Sequence, residues 1–204
     1  MLSAIILVGG KATRIGREKG LVLLANKPMI MHVIGKLEVI TDEIILVASS
    51  SEQAKHYEDL GLRTVVESSP LGSPLSGALT GFKNAKGEYS FLTGSDMPLI
   101  NPEAVRLLQS EVKGHDAATY IWPNGYIEPL LAVYQTSNSV QQAESLLLKG
   151  ERRLGLILRN LRDVIYVPIE RLREIDPDLN SLIDINTAED LRKAELILRG
   201  KKVS

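Results

Sequence analysis

The sequence predicts a single α/β domain, a three-layer sandwich built on a mostly parallel central sheet. Three observations carry that expectation. Apolar runs of strand length alternate with helical patterns through the first half of the chain. The first run, Leu2 to Val8, empties directly into a glycine-rich basic loop, Gly9-Gly10-Lys11-Ala12-Thr13-Arg14-Ile15-Gly16-Arg17-Glu18-Lys19. Finally, 204 residues with 44% hydrophobic and 24% charged content are enough for one packed core and show no linker or repeat.

After the loop, Pro28 opens a helical pattern with Met29, Ile30, Val33, Ile34 and Leu37 on one face. Glu43 to Ala48 reads as a second buried strand, and Ser51 to Leu60 as a polar helix ended by Gly61. Leu62 to Val66 is a third strand, and the Ser/Pro/Gly stretch Glu67 to Pro74 leads into a helix over Leu75 to Ala85. Glu88 to Thr93 is a fourth strand, followed by Gly94-Ser95-Asp96-Met97-Pro98, and Pro102 starts a helix through about Val112. This alternation implies parallel strands with right-handed crossovers. The second half is less regular. Asp116 to Ile121 and Leu130 to Tyr134 read as strands joined around Pro123-Asn124-Gly125. Helices follow over Ser137 to Lys149 and Arg152 to Asn160, then a strand from Val164 to Ile169, a loop, and a last short strand from Leu182 to Ile185. Thr187, with Asp190 three residues on, caps the final helix.

Composition excludes several functions. A formal net charge of −1 argues against a bulk nucleic-acid or membrane binder, so any basic site is local. The absence of cysteine removes disulfides, thiolate catalysis and cysteine-ligated metals. His32, His56 and His115 lack metal-ligand spacing. Only 4% of residues are aromatic, too few for a stacking platform on single-stranded nucleic acid. No apolar run reaches membrane-span length, and the N-terminus lacks signal-peptide features, so the sequence predicts a cytoplasmic protein.

Six constellations could carry chemistry. In the Gly9–Lys19 loop, glycines would let backbone N–H groups approach an anion, with Arg14 as a planar fork and Lys19 as a point charge. The spacing is neither a dinucleotide fingerprint nor a P-loop, and a plain strand-ending turn is the alternative. Asp96, just past a central strand, faces the crevice where open α/β sheets bind ligands. It suits Mg²⁺ beside phosphates, or simply caps the turn before Pro98. Pro70-Leu71-Gly72-Ser73-Pro74-Leu75-Ser76-Gly77-Ala78 offers either a helix N-terminus to a nucleotide or a rigid turn. Glu128, held extended before Pro129, would reach a substrate or sit on an edge strand. Asp184 and Asn186, before the last helix, are either metal ligands or turn and cap residues. Arg152, Arg153, Arg159 and Arg162 are either phosphate contacts or a solvated helix face.

The ordered set Gly9-Gly10-x3-Arg14-x-Gly16-x2-Lys19, Gly72-Ser73-Pro74-Leu75-Ser76-Gly77, Ser95-Asp96-Met97-Pro98, Glu128-Pro129-Leu130 and Asp184-Ile185-Asn186-Thr187-x-Glu189-Asp190-Leu191 spans nearly the whole chain. It resembles the molybdenum cofactor guanylyltransferases. The resemblance implies a Rossmann-like sandwich of the nucleotide-diphospho-sugar transferase type, with a nucleotide-binding half over about 1–112 and an acceptor-binding half over about 113–199. It also implies Mg²⁺-dependent transfer of GMP from GTP to molybdopterin-bound molybdenum, with release of pyrophosphate. The backbone of Leu7, Val8, Gly9 and Gly10 would contact the nucleotide, as would the Glu67 and Gly72–Gly77 region (Gly72, Pro74, Leu75 and Gly77). Arg14 would hold the β- and γ-phosphates, Lys19 would offset charge at the reacting phosphorus, and Asp96 would bind Mg²⁺. Asn186 would be a second metal ligand, with Asp184 behind it, and Glu128 and the arginines would face the pterin. Partner proteins that insert molybdenum or accept the product are compatible with this reading.

Some positions depart from the family's pattern. Glu18 stands where the family usually has Asp, and Asn26 where it has the glycine of a Gly-Lys-Pro turn. Ala48-Ser49-Ser50 replaces a strand-ending asparagine near the base, and Glu67 is the acidic residue available to read guanine. Gly10 favours guanylyl over cytidylyl members. Guanylyl transfer to cobinamide phosphate, cytidylyl transfer to molybdopterin and a non-catalytic GTP- or pterin-binding accessory role are the competing readings.

Overall fold

The computed structural model of the chain describes residues 1–9, 18–67 and 72–200. Its strands are β1 (Leu2–Leu7), β2 (Leu23–Leu24), β3 (Lys27–Pro28), β4 (Glu43–Ala48), β5 (Arg63–Val66), β6 (Tyr89–Gly94), β7 (Ala117–Ile121), β8 (Ile127–Gln135) and β9 (Val164–Pro168). Its helices are α1 (Met29–Leu37), α2 (Ser51–Lys55), α3 (Pro74–Asn84), α4 (Pro102–Glu111), α5 (Thr136–Leu148), α6 (Leu156–Asn160), α7 (Ile169–Ile175) and α8 (Ala188–Leu198).

Seven strands form one sheet in the order β5-β4-β1-β6-β8-β7-β9. Pairings β1–β4, β1–β6, β4–β5 and β7–β9 are parallel. β8 runs antiparallel to both β6 and β7. β1 shows why the sheet is buried on both faces. Leu2, Ala4, Ile6 and Val8 join a core under α1, α4 and α7, while Ile5 joins a second core under α3, α5 and α6. Alternation with period two divides the strand between the layers. Met29, Ile30, Val33, Ile34 and Leu37 of α1 are all buried, each contributing roughly 1.5–3 kcal/mol of burial free energy.

The three-layer, mostly parallel sandwich thus matches the sequence expectation, with local differences. The expected helix from Ser51 to Leu60 is only α2 plus a 3₁₀ turn at Glu58–Leu60, closed by Gly61 at φ 65°. The break lets Tyr57 turn fully into the core. β8 begins at Ile127, not Leu130, and carries Pro129. The helix expected from Arg152 is the shorter α6. α7 occupies part of the stretch read as loop, opened by Pro168. The expected strand Leu182–Ile185 is instead a 3₁₀ turn at Asn180–Leu182 followed by unpaired chain. Ile185 donates its N–H to the Asp96 carbonyl at 2.9 Å and packs with Leu24, Met29, Leu99 and Ala194 in a small third core. The β2–β3 hairpin turns through Ala25 (φ 49°) and Asn26 (φ 65°). Asparagine tolerates the left-handed region, so the turn survives without its usual glycine.

The parallel strands place their C-terminal ends on one edge. Leu7 is in register with Val47 and with Gly94, and Ala48 with Val66. Because β8 is antiparallel, with Leu92 opposite Ala132, it is its beginning, around Glu128-Pro129-Leu130, that reaches this same edge.

Candidate active site

Lys19 sits in a single 3₁₀ turn, Lys19–Leu21. Its ammonium group makes an ion pair with the Asp96 carboxylate and donates to Asn186 Oδ1 at 2.7 Å. Three distant segments therefore meet at one nitrogen. Each is held from behind. A methyl group at Gly20 would lie 3.0 Å from the Tyr57 hydroxyl and 3.1 Å from the Ser95 side chain, so the Lys19 turn seats closely against them and glycine leaves that contact unstrained. Ser95 N–H donates to the Leu7 carbonyl at 3.0 Å, tying the Asp96 loop to the end of β1. The Asp96 carboxylate folds over Gly94, where a Cβ would collide with it.

Asn186 is fixed by the entry to α8. Its Nδ2 donates to Asp184 Oδ2 at 2.6 Å. Asp190 Oδ2 accepts from the N–H groups of Asn186 and Thr187 at 3.1 and 2.8 Å and from the Thr187 hydroxyl at 2.8 Å. Asp190 N–H in turn donates to Thr187 Oγ1 at 3.2 Å, completing a reciprocal capping box. These contacts hold the Asp190 carboxyl below its ordinary 3.8, the Thr187 hydroxyl bond being the largest cause.

Beside this cluster opens a cavity of about 480 Å³. Its walls are the ends of β1 and β4 (Leu7, Gly9, Val47, Ser49), the start of α3 with Glu67 (Gly72, Ser73, Pro74, Gly77), and Gly94, Asp96 and Leu130. Ser73 caps α3, and Pro74 occupies its first turn. Glu67 accepts a hydrogen bond from the Ser76 hydroxyl and a longer one, 3.4 Å, from Ser73 N–H, where the positive end of the helix favours a carboxylate.

Of the residues expected from sequence, Leu7, Gly9, Glu67, Gly72, Pro74, Gly77 and Asp96 line the cavity. Val8 and Leu75 have buried side chains that belong to the two cores. Gly10 and Arg14 lie outside the described residues. Val47, Ser49, Ser73, Gly94 and Leu130 also line it. Their place at strand ends and helix starts, beside the residues expected from sequence, is the signal that points to them.

Glu128 stands outside that wall, on the approach from β8. It accepts from Trp122 Nε1 at 2.6 Å. Burial pushes its carboxyl above the ordinary 4.5, the Trp122 bond opposes this, and the nearby Asp184 charge adds to the rise. Tyr126 is exposed and feels both Glu128 and Asp184, so Tyr126, Glu128 and Asp184 share one neighbourhood. The arginines divide. Arg159 donates to the Gly125 carbonyl at 2.6 Å and braces the β7–β8 hairpin. Arg153 pairs loosely with Glu151 on the exposed surface.

No group of three or more His, Cys, Asp or Glu among the described residues could enclose a metal. Asp96 and Asn186 nevertheless present oxygens to one shared cation, the Lys19 ammonium. A carboxylate and an amide oxygen at an open cavity fit Mg²⁺, which takes few protein ligands and keeps phosphate oxygens and waters.

The profile of the family described as "MobA-like NTP transferase domain" matches residues 4–164. The chain is 34% identical over 197 residues to a probable molybdenum cofactor guanylyltransferase of Methanosarcina mazei, covering 93% of this chain and 88% of that protein. It is 38% identical over 192 residues to a probable molybdenum cofactor guanylyltransferase of Thermococcus gammatolerans, covering 92% and 96%. The crystal structure of molybdopterin-guanine dinucleotide biosynthesis protein A from Archaeoglobus fulgidus superposes with a TM-score of 0.83 at 30% identity, covering 98% of this chain and all of that one.

Proposed function

The chain belongs to the MobA-like NTP transferase family, and from that premise we propose that it transfers GMP from GTP to molybdopterin-bound molybdenum cofactor. A terminal phosphate oxygen of the acceptor attacks the α-phosphorus of GTP. The bond from that phosphorus to the β-bridging oxygen breaks, and pyrophosphate leaves. The observation that carries the reading is the meeting of Lys19, Asp96 and Asn186 at the edge of a cavity whose far wall is the start of α3.

Such a reaction asks little covalent work of the protein. Positioning and charge neutralisation dominate. The cavity takes the nucleoside: the N-terminal end of α3 and the Glu67 carboxylate, which has lone pairs beyond those used by Ser76 and Ser73, face the guanine edge. Lys19 leaves Asp96 for a phosphate oxygen when nucleotide enters and offsets charge at the reacting phosphorus. Arg14 belongs to the same task on the β- and γ-phosphates. Asp96 and Asn186 would hold Mg²⁺, with Asp184 orienting the Asn186 amide. When bound, that ion neutralises the phosphate oxygens. Glu128, Tyr126 and the β7–β8 hairpin receive the pterin. Among the described residues no helix is long and apolar enough to cross a membrane. We assign the reaction to the cytoplasm, which supplies GTP.

The test is nucleotide-dependent turnover. The protein is incubated with Mg²⁺, a molybdopterin source and each of GTP, CTP, ATP and UTP, and pyrophosphate and pterin dinucleotide are assayed. Turnover with GTP alone supports the reading. Turnover with CTP reassigns the base, and GTP binding without turnover overturns the acceptor.

A further inference from the structure

One buried side chain ties three parts of the site together without facing the cavity. Gln53, in α2, is 7% exposed. Its Oε1 accepts from Ser49 N–H at 2.8 Å and from the Ser49 hydroxyl at 3.0 Å. Its Nε2 donates to the Val8 carbonyl at 3.1 Å and to Glu18 Oε2 at 2.6 Å. Both amide hydrogens and both oxygen lone pairs are thereby used. The orientation is fixed by the partners, since the flipped amide would set its oxygen against the Val8 carbonyl and the Glu18 carboxylate, and its NH₂ against Ser49 N–H. Even the main chain takes part: Gln53 N–H donates to the Ser50 hydroxyl at 3.1 Å, capping α2.

The three partners have distinct places. Val8 follows β1 and precedes the glycine loop. Ser49 follows β4 and lines the cavity. Glu18 is the residue immediately before Lys19. An apolar side chain would fill the same space, but it would not specify where Glu18 stands. A fully satisfied buried amide does, because any shift of one partner leaves a buried polar group unpaired. We propose that Gln53 is a positioning residue for transfer: it clamps Glu18 to the ends of β1 and β4 and so sets the Lys19 ammonium in register with Asp96 and Asn186. The proposal rests on the reading of Lys19 as the phosphate-binding residue.

The test is a swap of donor and acceptor. Gln53→Glu keeps the shape and the bonds from Ser49 but sets a carboxylate oxygen against both the Val8 carbonyl and the Glu18 carboxylate. Glu18→Gln in that background restores a donor facing an acceptor. For each variant we would measure kcat, the acceptor KM, the Kd for Mg·GTP by calorimetry, and Tm. Gln53→Glu should lower kcat and weaken GTP binding by about tenfold or more, as misplaced catalytic groups do, with the acceptor KM within about twofold of wild type. The double variant should recover part of both losses, the Val8 carbonyl still lacking its donor. Gln53→Met, of similar volume and without polar atoms, serves if Gln53→Glu fails to fold, and should show the same loss of GTP affinity. A merely destabilised protein would lose active fraction with GTP affinity unchanged. That pattern, or a double variant no better than Gln53→Glu, would overturn the clamp. If wild type binds GTP but transfers no guanylyl group, the proposed acceptor reading fails, while the GTP affinities of the four proteins still decide the role of Gln53.

Discussion

Lys19 and Asp96, 77 positions apart in the chain, form an ion pair in which the lysine also donates to Asn186 at 2.7 Å. The lysine side chain is 17% exposed and the aspartate 22%, so the pair is accessible to an incoming phosphate. Partly desolvated charges at a cavity rim mark a functional site more than a stabilising bridge. Lys19→Ala should lower kcat/KM for guanylyl transfer by about 10²–10³, the scale for losing one donor to developing charge. Asp96→Ala should abolish turnover, with a circular dichroism spectrum like that of wild type. Either variant turning over at the wild-type rate would refute the site.

Gly20 makes room for that pair. Gly20→Ala places a methyl group against the Tyr57 hydroxyl and the Ser95 side chain, and overpacking of this kind costs about 1–3 kcal/mol. The Lys19 turn and the Asp96 loop are the two elements pushed apart. Tm should fall and kcat should fall with it, and Gly20→Ala with wild-type kinetics would show that the contact is relieved elsewhere.

Glu128 carries a pH signature. Its carboxyl is raised in the folded protein, chiefly by burial, so the folded state favours the protonated form. The favourable contribution is complete below the unfolded value near 4.5 and is lost as pH rises through the raised folded value. Glu128→Gln retains an oxygen to accept from Trp122 and cannot ionise. It should therefore melt higher than wild type at neutral pH, with the difference closing below about pH 4.5. Acceptor KM should rise at the same time if Glu128 contacts the pterin. Thermal melts across pH 4–8 check the first expectation, and a constant difference in Tm would refute it.

Asp190 acts through Asn186. Asp190→Ala removes the acceptor for the Asn186 and Thr187 N–H groups and should cost about 1 kcal/mol, as a lost cap does. Its carboxyl is depressed in the folded protein, with the Thr187 hydroxyl bond as the first cause. Its contribution is present above about pH 3.8 and fades as pH falls through the lowered value. The Tm gap between wild type and Asp190→Ala should therefore close in acid. A fall in kcat of about tenfold at pH 7 should accompany the gap. A lower Tm with unchanged kcat would detach Asn186 from the reaction.

The sequence by itself determined the layers, the edge on which the candidate site lies and most of the residues that line its cavity. Strand length, apolar alternation and the Pro, Gly and Ser punctuation around each element are local signals. Parallel strands necessarily bring the segments after Leu7, Val66 and Gly94 to one edge. Even the Asn26 turn was legible, because left-handed tolerance is a property of the residue itself. What only the tertiary structure decided is how those segments meet. Nothing local to Leu182–Ile185 distinguishes a short strand from a packed loop; the free carbonyl of Asp96 and the apolar pocket under α8 decide it. Gln53 reads as one polar residue of a surface helix until the fold seats α2 against the ends of β1 and β4 and sets its amide onto Val8, Ser49 and Glu18. Lys19 acquires its partners in the same way, from positions 96 and 186. Such contacts arise from the sum of many packing constraints, and no window of sequence contains them.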